Sequence, residues 1–160
     1  MNIFSAVLIV LATRLPAIDP NVRADVADAI TIATELMQKD ALYAIELAEL
    51  ACAESGLAPW VLDGRANDPV WRTSDIGKRT MRRVGDADSG YSIGAWQVHQ
   101  YPGGPTKETL LNVYDAALYV ASEWAVHPER WSPWKRVKQQ AARWRGLYVL
   151  NEQHRESGVE

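Results

Sequence analysis

Apolar and polar positions along the chain alternate with helical spacing in most of its length. The first apolar run spans Ile3 to Ala12, and Pro16 and Pro20 punctuate it. A helix is then expected from about Val22 to Met37, where Val26, Ile30, Ala33 and Met37 recur at intervals of three and four, with Asn21 as its N-cap. A further helix is expected from Asp40 to Glu54, with Leu42, Ile45, Ala48 and Cys52 on one stripe and Gly56 and Pro59 ending it. From Gly56 to Gly94 the periodicity breaks into glycines, prolines and short polar clusters. Only Thr73 to Val84 there reads as a short helix, and the ends suggest a small hairpin. Helical spacing returns from Thr106 to Val126, with Leu110, Val113, Tyr114, Ala117, Leu118 and Ala121 on one side. It continues from Ser132 to Leu150 through Val137, Ala141, Trp144 and Tyr148. Asn151 to Glu160 is a polar tail.

This pattern predicts a mainly α domain with a long irregular insertion and a small β-hairpin on one side of a cleft. Long irregular regions inside compact domains are more often functional than accidental. At 160 residues and 48% hydrophobic, the chain can bury one core. It divides into an apolar N-terminal segment (1–20), one helical domain (21–150) and the tail (151–160). The N-terminal run is too short to cross a bilayer, and no Lys or Arg precedes it. Packing helix and weak leader or anchor both stay open for it, and stable membrane insertion is not expected.

Charge adds an asymmetry. The net charge is -3, which argues against nucleic acid as a partner. Yet Asp19 to Glu54 carries eight acidic and two basic residues, whereas His127 to Arg145 carries six basic (Lys and Arg) and one acidic. The basic half is either a solvated face or a surface for an anionic polymer. The lone Cys52 cannot form an internal disulfide and reads as a small buried hydrophobe.

Glu54 is the first candidate for chemistry. A carboxylate in the last turn of a helix faces the negative end of the peptide dipoles, and burial penalises its charge further. Both effects raise its pKa from ~4.3 towards the ~6 that suits a general acid. The second candidate is Asp88 to Gly104, DSGYSIGAWQVHQYPGG, where Gly90 and Gly94 flank aromatic and amide side chains. Tyr91 and Trp96 offer flat faces for sugar rings, and Gln97 both donates and accepts hydrogen bonds. Trp96 and Tyr148 either line a cleft or fill the core, and His99 either contacts substrate or sits on an exposed loop. His99, His127 and His154 are too scattered for a metal hydrolase, and no Gly-rich nucleotide loop occurs. No metal or organic cofactor is expected.

These stretches resemble the lysozyme-like superfamily, in particular lytic transglycosylases and goose-type lysozymes, including muralytic domains of phage virions. Ala53-Glu54-Ser55-Gly56 is similar to the helix end that carries the family's catalytic glutamate. Gly94-Ala95-Trp96-Gln97, with Gln97 43 residues after Glu54, is similar to its G-L-M-Q-type turn with two substitutions. Trp131 to Arg136, WSPWKR, is similar to a late S-P-W stretch. The resemblance spans Asp25 to Leu150 and implies an α+β lysozyme-like fold. It also implies cleavage of the β-1,4 bond between N-acetylmuramic acid and N-acetylglucosamine in peptidoglycan. Glu54 then acts as acid and afterwards base, leaving 1,6-anhydro ends. The muramidase alternative has Asp86 or Asp88 positioning water, and carry-over does not choose between them; either aspartate could instead cap a turn. A glycan-binding or structural virion module without catalysis is the third reading. Substrate-binding candidates are Ser55, Tyr91, Trp96, Gln97 and Tyr148. The partner implied is the glycan strand, with a virion or tail assembly as a further option for an otherwise monomeric chain. The place of action is the cell wall, whether periplasmic, extracellular or virion-associated.

Overall fold

The computed structural model describes residues 2–56, 92–99, 101 and 103–146. Among these the chain forms six α-helices and one hairpin: α1 (Ile3–Arg14), α2 (Pro20–Leu36), α3 (Ala41–Ser55), β1 (Ser92–Ile93), β2 (Val98–His99), α4 (Lys107–Leu111), α5 (Val113–Val126) and α6 (Trp134–Arg143). A 3-10 turn, Pro128–Arg130, separates the last two helices. The strands pair antiparallel, Ser92 opposite His99 and Ile93 opposite Val98. A mainly helical domain with a small hairpin is therefore observed, as the hydrophobic pattern predicts. The insertion between Gly56 and Ser92, including the helix expected at Thr73 to Val84, lies outside the described residues, as does the tail.

Side-chain caps set most helix starts. Asn2 accepts from the Ser5 N–H at 2.8 Å, Asp40 from Tyr43 at 3.0 Å, and Asp19 from Asn21 at 2.7 Å. Each satisfies a donor that the first helical turn leaves unpaired. The second helix thus starts earlier than expected: Asp19, not Asn21, is its cap, and Pro20 occupies the first helical position, where its missing N–H costs nothing. Between α1 and α2 the Arg23 guanidinium donates to the carbonyls of Leu15 (3.1 Å) and Pro16 (2.9 Å) and closes the turn.

α3 is the central element. Ala44, Ile45, Leu47, Ala48, Glu49, Leu50 and Ala51 are all buried, because α1, α2 and α6 each pack against it. A helix enclosed on several sides needs apolar residues around most of its circumference, which the run ALYAIELAELACA supplies. Two carboxylates enter this core with partners. Glu49, 2% exposed, accepts from Trp144 Nε1 at 2.9 Å and pairs with Arg14 Nε at 3.3 Å. Glu46 accepts from Trp124 Nε1 at 2.7 Å and pairs with Lys138 at 3.5 Å. α1 adds Ala6, Val7, Val10 and Leu11 to the same core.

Two features differ from the periodic expectation. The stretch from Thr106 to Val126 is two helices, because Asn112 has extended backbone, φ -82° and ψ 116°, and its side chain caps α5 through the N–H groups of Tyr114 and Asp115. The buried face of α5 is Ala116, Ala117, Val120, Ala121 and Trp124, whereas Tyr114 and Leu118 are exposed. Small alanines face the core because α2 packs closely along α5. α6 buries Val137 and Ala141, and the expected helical stretch beyond residue 146 lies outside the described residues. No helix among the described residues is long and apolar enough to cross a membrane.

Candidate active site

Glu54 stands in the last turn of α3, which Gly56 terminates in the left-handed conformation, φ 60°. A glycine there closes the helix without the steric cost a Cβ would bring. The Glu54 side chain is half-buried. Burial raises its pKa above the ordinary 4.5, and the positive charge of Arg136 on α6 offsets part of that rise. The helix-end carboxyl therefore favours its protonated form more than a solvated glutamate does.

The hairpin is fastened to this helix end. Ser55 Oγ donates to the Ala95 carbonyl at 2.6 Å and also approaches the Ala51 carbonyl at 3.4 Å. Trp96 Nε1 donates to the Leu47 carbonyl at 2.9 Å, and Trp131 Nε1 donates to the Trp96 carbonyl at 3.0 Å. The turn has two left-handed residues, Gly94 (φ 81°) and Gln97 (φ 48°). Gln97 bonds back across the turn: both its backbone N–H (3.1 Å) and its Nε2 (3.0 Å) donate to the Gly94 carbonyl. The glycine thus serves the turn's backbone, and the amide that follows is held where a ligand can meet it.

A cleft of about 720 Å³ opens beside this junction, within the range of ligand-binding cavities. Glu54 from α3 and Ser92, Gln97, Val98 and His99 from the hairpin line it, together with Tyr101. Tyr119 and Glu123 on α5, and Arg130, Trp131 and Ser132 after it, complete the lining. Tyr101 and Tyr119 share a hydrogen bond between their hydroxyls at 3.1 Å, and the Arg130 guanidinium pairs with the Glu123 carboxylate. Burial, the Tyr101 hydrogen bond and the charge of Glu123 together hold the Tyr119 phenol protonated, well above the ordinary tyrosine range.

Of the residues singled out from the sequence, Glu54 and Gln97 are brought together in the cleft lining, 43 positions apart in the chain. Ser55 ties the helix end to the hairpin turn. Trp96 is 1% exposed and its indole is in the core, with its N–H satisfied by α3; it carries the hairpin on the core and is not among the cleft-lining residues. Asp86, Asp88, Tyr91 and Tyr148 lie outside the described residues. His99, read as either substrate contact or loop, reaches the lining. Sequence reasoning missed Tyr101, Tyr119, Glu123 and Arg130. A usable signal was present in Tyr119 and Glu123, four apart and hence on one face of a helix, but the assumed phase of that helix obscured it. Cys52 is partly buried and its thiol is pushed up to about 12, first by desolvation and then by the neighbouring Glu49 charge, which makes it a packing residue and a poor nucleophile.

Among the described residues no group of three His, Cys, Asp or Glu side chains is placed to hold a metal ion. Chemically the arrangement offers a proton donor with a raised pKa, a fixed amide, and a wall of hydroxyl, carboxylate, guanidinium and aromatic groups. Comparison with protein-family models, curated proteins and solved structures gives no match.

Proposed function

We propose that the chain is a peptidoglycan lytic transglycosylase in which Glu54 is the catalytic acid and then base. The observation that carries this reading is a half-buried carboxyl, its pKa raised by burial, lining a cleft together with aromatic and hydrogen-bonding groups. Protonated Glu54 donates to the bridging oxygen between N-acetylmuramic acid and N-acetylglucosamine as that bond breaks, and positive charge develops at C1 of the muramoyl ring. The Glu54 carboxylate left behind accepts the proton of the C6 hydroxyl of the same sugar. The hydroxyl oxygen attacks C1 and closes a 1,6-anhydro ring, so no water enters the products. The substrate's own acetamido oxygen assists at C1, which lets one protein carboxyl suffice. Gln97, held by its bonds to Gly94, orients the sugar. Resemblance of Ala53 to Gly56 and Gly94 to Gln97 to the lysozyme-like superfamily supports the same assignment. The setting is the cell wall.

Digestion of purified peptidoglycan by the wild-type chain and by Glu54→Gln, with mass spectrometry of the unreduced muropeptides, tests the proposal. Expected products are lighter by one water than hydrolysed muropeptides and vanish in Glu54→Gln, whose fold persists. Reducing muramic-acid ends would instead support the muramidase mechanism, with Asp86 and Asp88 the next substitutions. Turnover retained by folded Glu54→Gln would sink the assignment of the acid.

A further inference from the structure

The basic stretch after α5 has no part in the mechanism above, apart from the charge that Arg136 adds beside Glu54. α6 carries Lys135, Arg136, Lys138 and Arg143 and no acidic residue, and Arg145 follows it. Val137 and Ala141 are buried, while Lys135, Gln139 and Arg143, spaced four apart, share the exposed side with Arg136. We propose that this side of α6 is a docking surface for a linear polyanion of phosphodiester-linked polyols, of the kind that cell walls carry alongside their glycan strands. The inference rests on the cell wall as the setting of the chain and adds a second wall component that the chain holds.

Charge complementarity favours that occupant. Lys138 is paired with Glu46 at 3.5 Å, but among the described residues no ion pair takes up Lys135, Arg136, Arg143 or Arg145. Helix stability does not account for all of them: Lys135 and Arg136 stand in the first turn of α6, where a cation meets the positive end of the peptide dipoles, and no acidic residue in that turn offsets it. Bound phosphates along the exposed side would relieve the repulsion. At a rise of about 1.5 Å per residue, Lys135 and Arg143 stand about 12 Å apart along the helix, so a flexible chain with a phosphate in every repeat can meet both ends at once. Arginine suits phosphate because its guanidinium donates two parallel hydrogen bonds. The same side lacks what other polyanionic surfaces require. None of its exposed residues is a large apolar side chain that could enter a bilayer or an aromatic ring on which a base could stack. The net charge of -3 opposes bulk attraction to nucleic acid. Arg136 sets one end of the surface beside Glu54, so a polymer attached to a glycan strand can be held on α6 while the strand occupies the cleft.

The test measures binding of the full chain to a defined poly(glycerol phosphate) by calorimetry at several salt concentrations, with thermal unfolding checked for every variant. Affinity should fall as salt rises. Lys135→Gln and Arg143→Gln should each weaken binding about three- to fivefold, and the pair together about tenfold or more. Lys39→Gln, which removes the same charge just before α3, should leave binding nearly unchanged. Unchanged affinity in the folded α6 variants, or an equal loss in Lys39→Gln, would overturn the surface. Tighter binding to duplex DNA of equal charge, or to phosphatidylglycerol vesicles, would overturn the assigned partner. Digestion of phosphate-free peptidoglycan separates the two readings. Lysis without any binding of the polymer overturns only the docking surface, whereas polymer binding that the α6 variants abolish, in a chain without lysis, supports the surface and overturns only the transglycosylase.

Discussion

A half-buried glutamate at a helix end has its protonation decided by two opposing influences, and at Glu54 each has a named source. Desolvation in the cleft favours the neutral acid, while Arg136 favours the carboxylate. Because general-acid action requires the proton, kcat/KM should fall as pH rises through the Glu54 pKa. Arg136→Gln removes the charge that lowers this pKa, so the alkaline limb of the kcat/KM profile should move to higher pH. An unmoved limb in an active variant would dissociate that limb from Glu54. The same pKa rise has a stability consequence of fixed sign. A carboxyl whose folded pKa is raised binds its proton more tightly folded than unfolded, so its contribution is full below the unfolded value and is lost as pH rises through the folded one. Glu54→Gln should therefore unfold at slightly higher urea than wild type at neutral pH, by less than about 1 kcal/mol for a group this hydrated, with the difference closing below the ordinary 4.5. Glu54 was legible in the sequence because helix end, glycine stop and acid are all local features. Arg136 as its modulator was not, since α6 meets α3 only in three dimensions.

At the scale of elements, α1 and the end of α6 are held onto α3 through one buried carboxylate. Glu49 receives Arg14 from α1 and the Trp144 indole at the end of α6. Arg14→Met keeps the apolar stem but leaves Glu49 with the indole as its partner in these contacts, and should destabilise the chain by about 1–3 kcal/mol, read as a lower urea midpoint at unchanged slope. No loss would mean that water already satisfies Glu49 beside the partly exposed arginine. Helix existence was readable for α2, α3 and α5 from spacing alone. Faces were less so: a run such as VYDAALYVASEW has apolar residues on several sides, and which of them is buried depends on the neighbour. Here α2 takes the alanine face, and Tyr119 and Glu123 reach the cleft lining. The break at Asn112 was likewise hidden, because an asparagine inside a periodic stretch is either a cap or a tolerated polar residue until its backbone is known.

Across the whole molecule, the helical core and the cleft share their fastenings. The Ser55, Trp96 and Trp131 hydrogen bonds lock the hairpin to α3 and to the segment after α5, and burying the Trp96 indole stabilises that junction by roughly 4–6 kcal/mol. Ser55→Ala deletes one fastening at the site itself. It should cost about 1 kcal/mol of stability but lower kcat/KM about tenfold, because Gln97 is positioned through the turn that Ser55 holds; loss of stability with full activity per folded molecule would assign Ser55 to the fold alone. The sequence by itself determined what is local: four helical stretches, the glycine stop after Ser55, the acid before it, and a turn built on Gly94 with its glutamine. Those follow from side-chain periodicity, caps and backbone preference, which act over a few residues. Only the tertiary structure decided that Trp96 is a core anchor, that Tyr101, Tyr119, Glu123 and Arg130 join Glu54 in one cleft, and that Arg136 opposes the burial of that acid. Each depends on groups far apart in the chain being packed together, where desolvation and pairing act over a few ångströms of space irrespective of sequence distance.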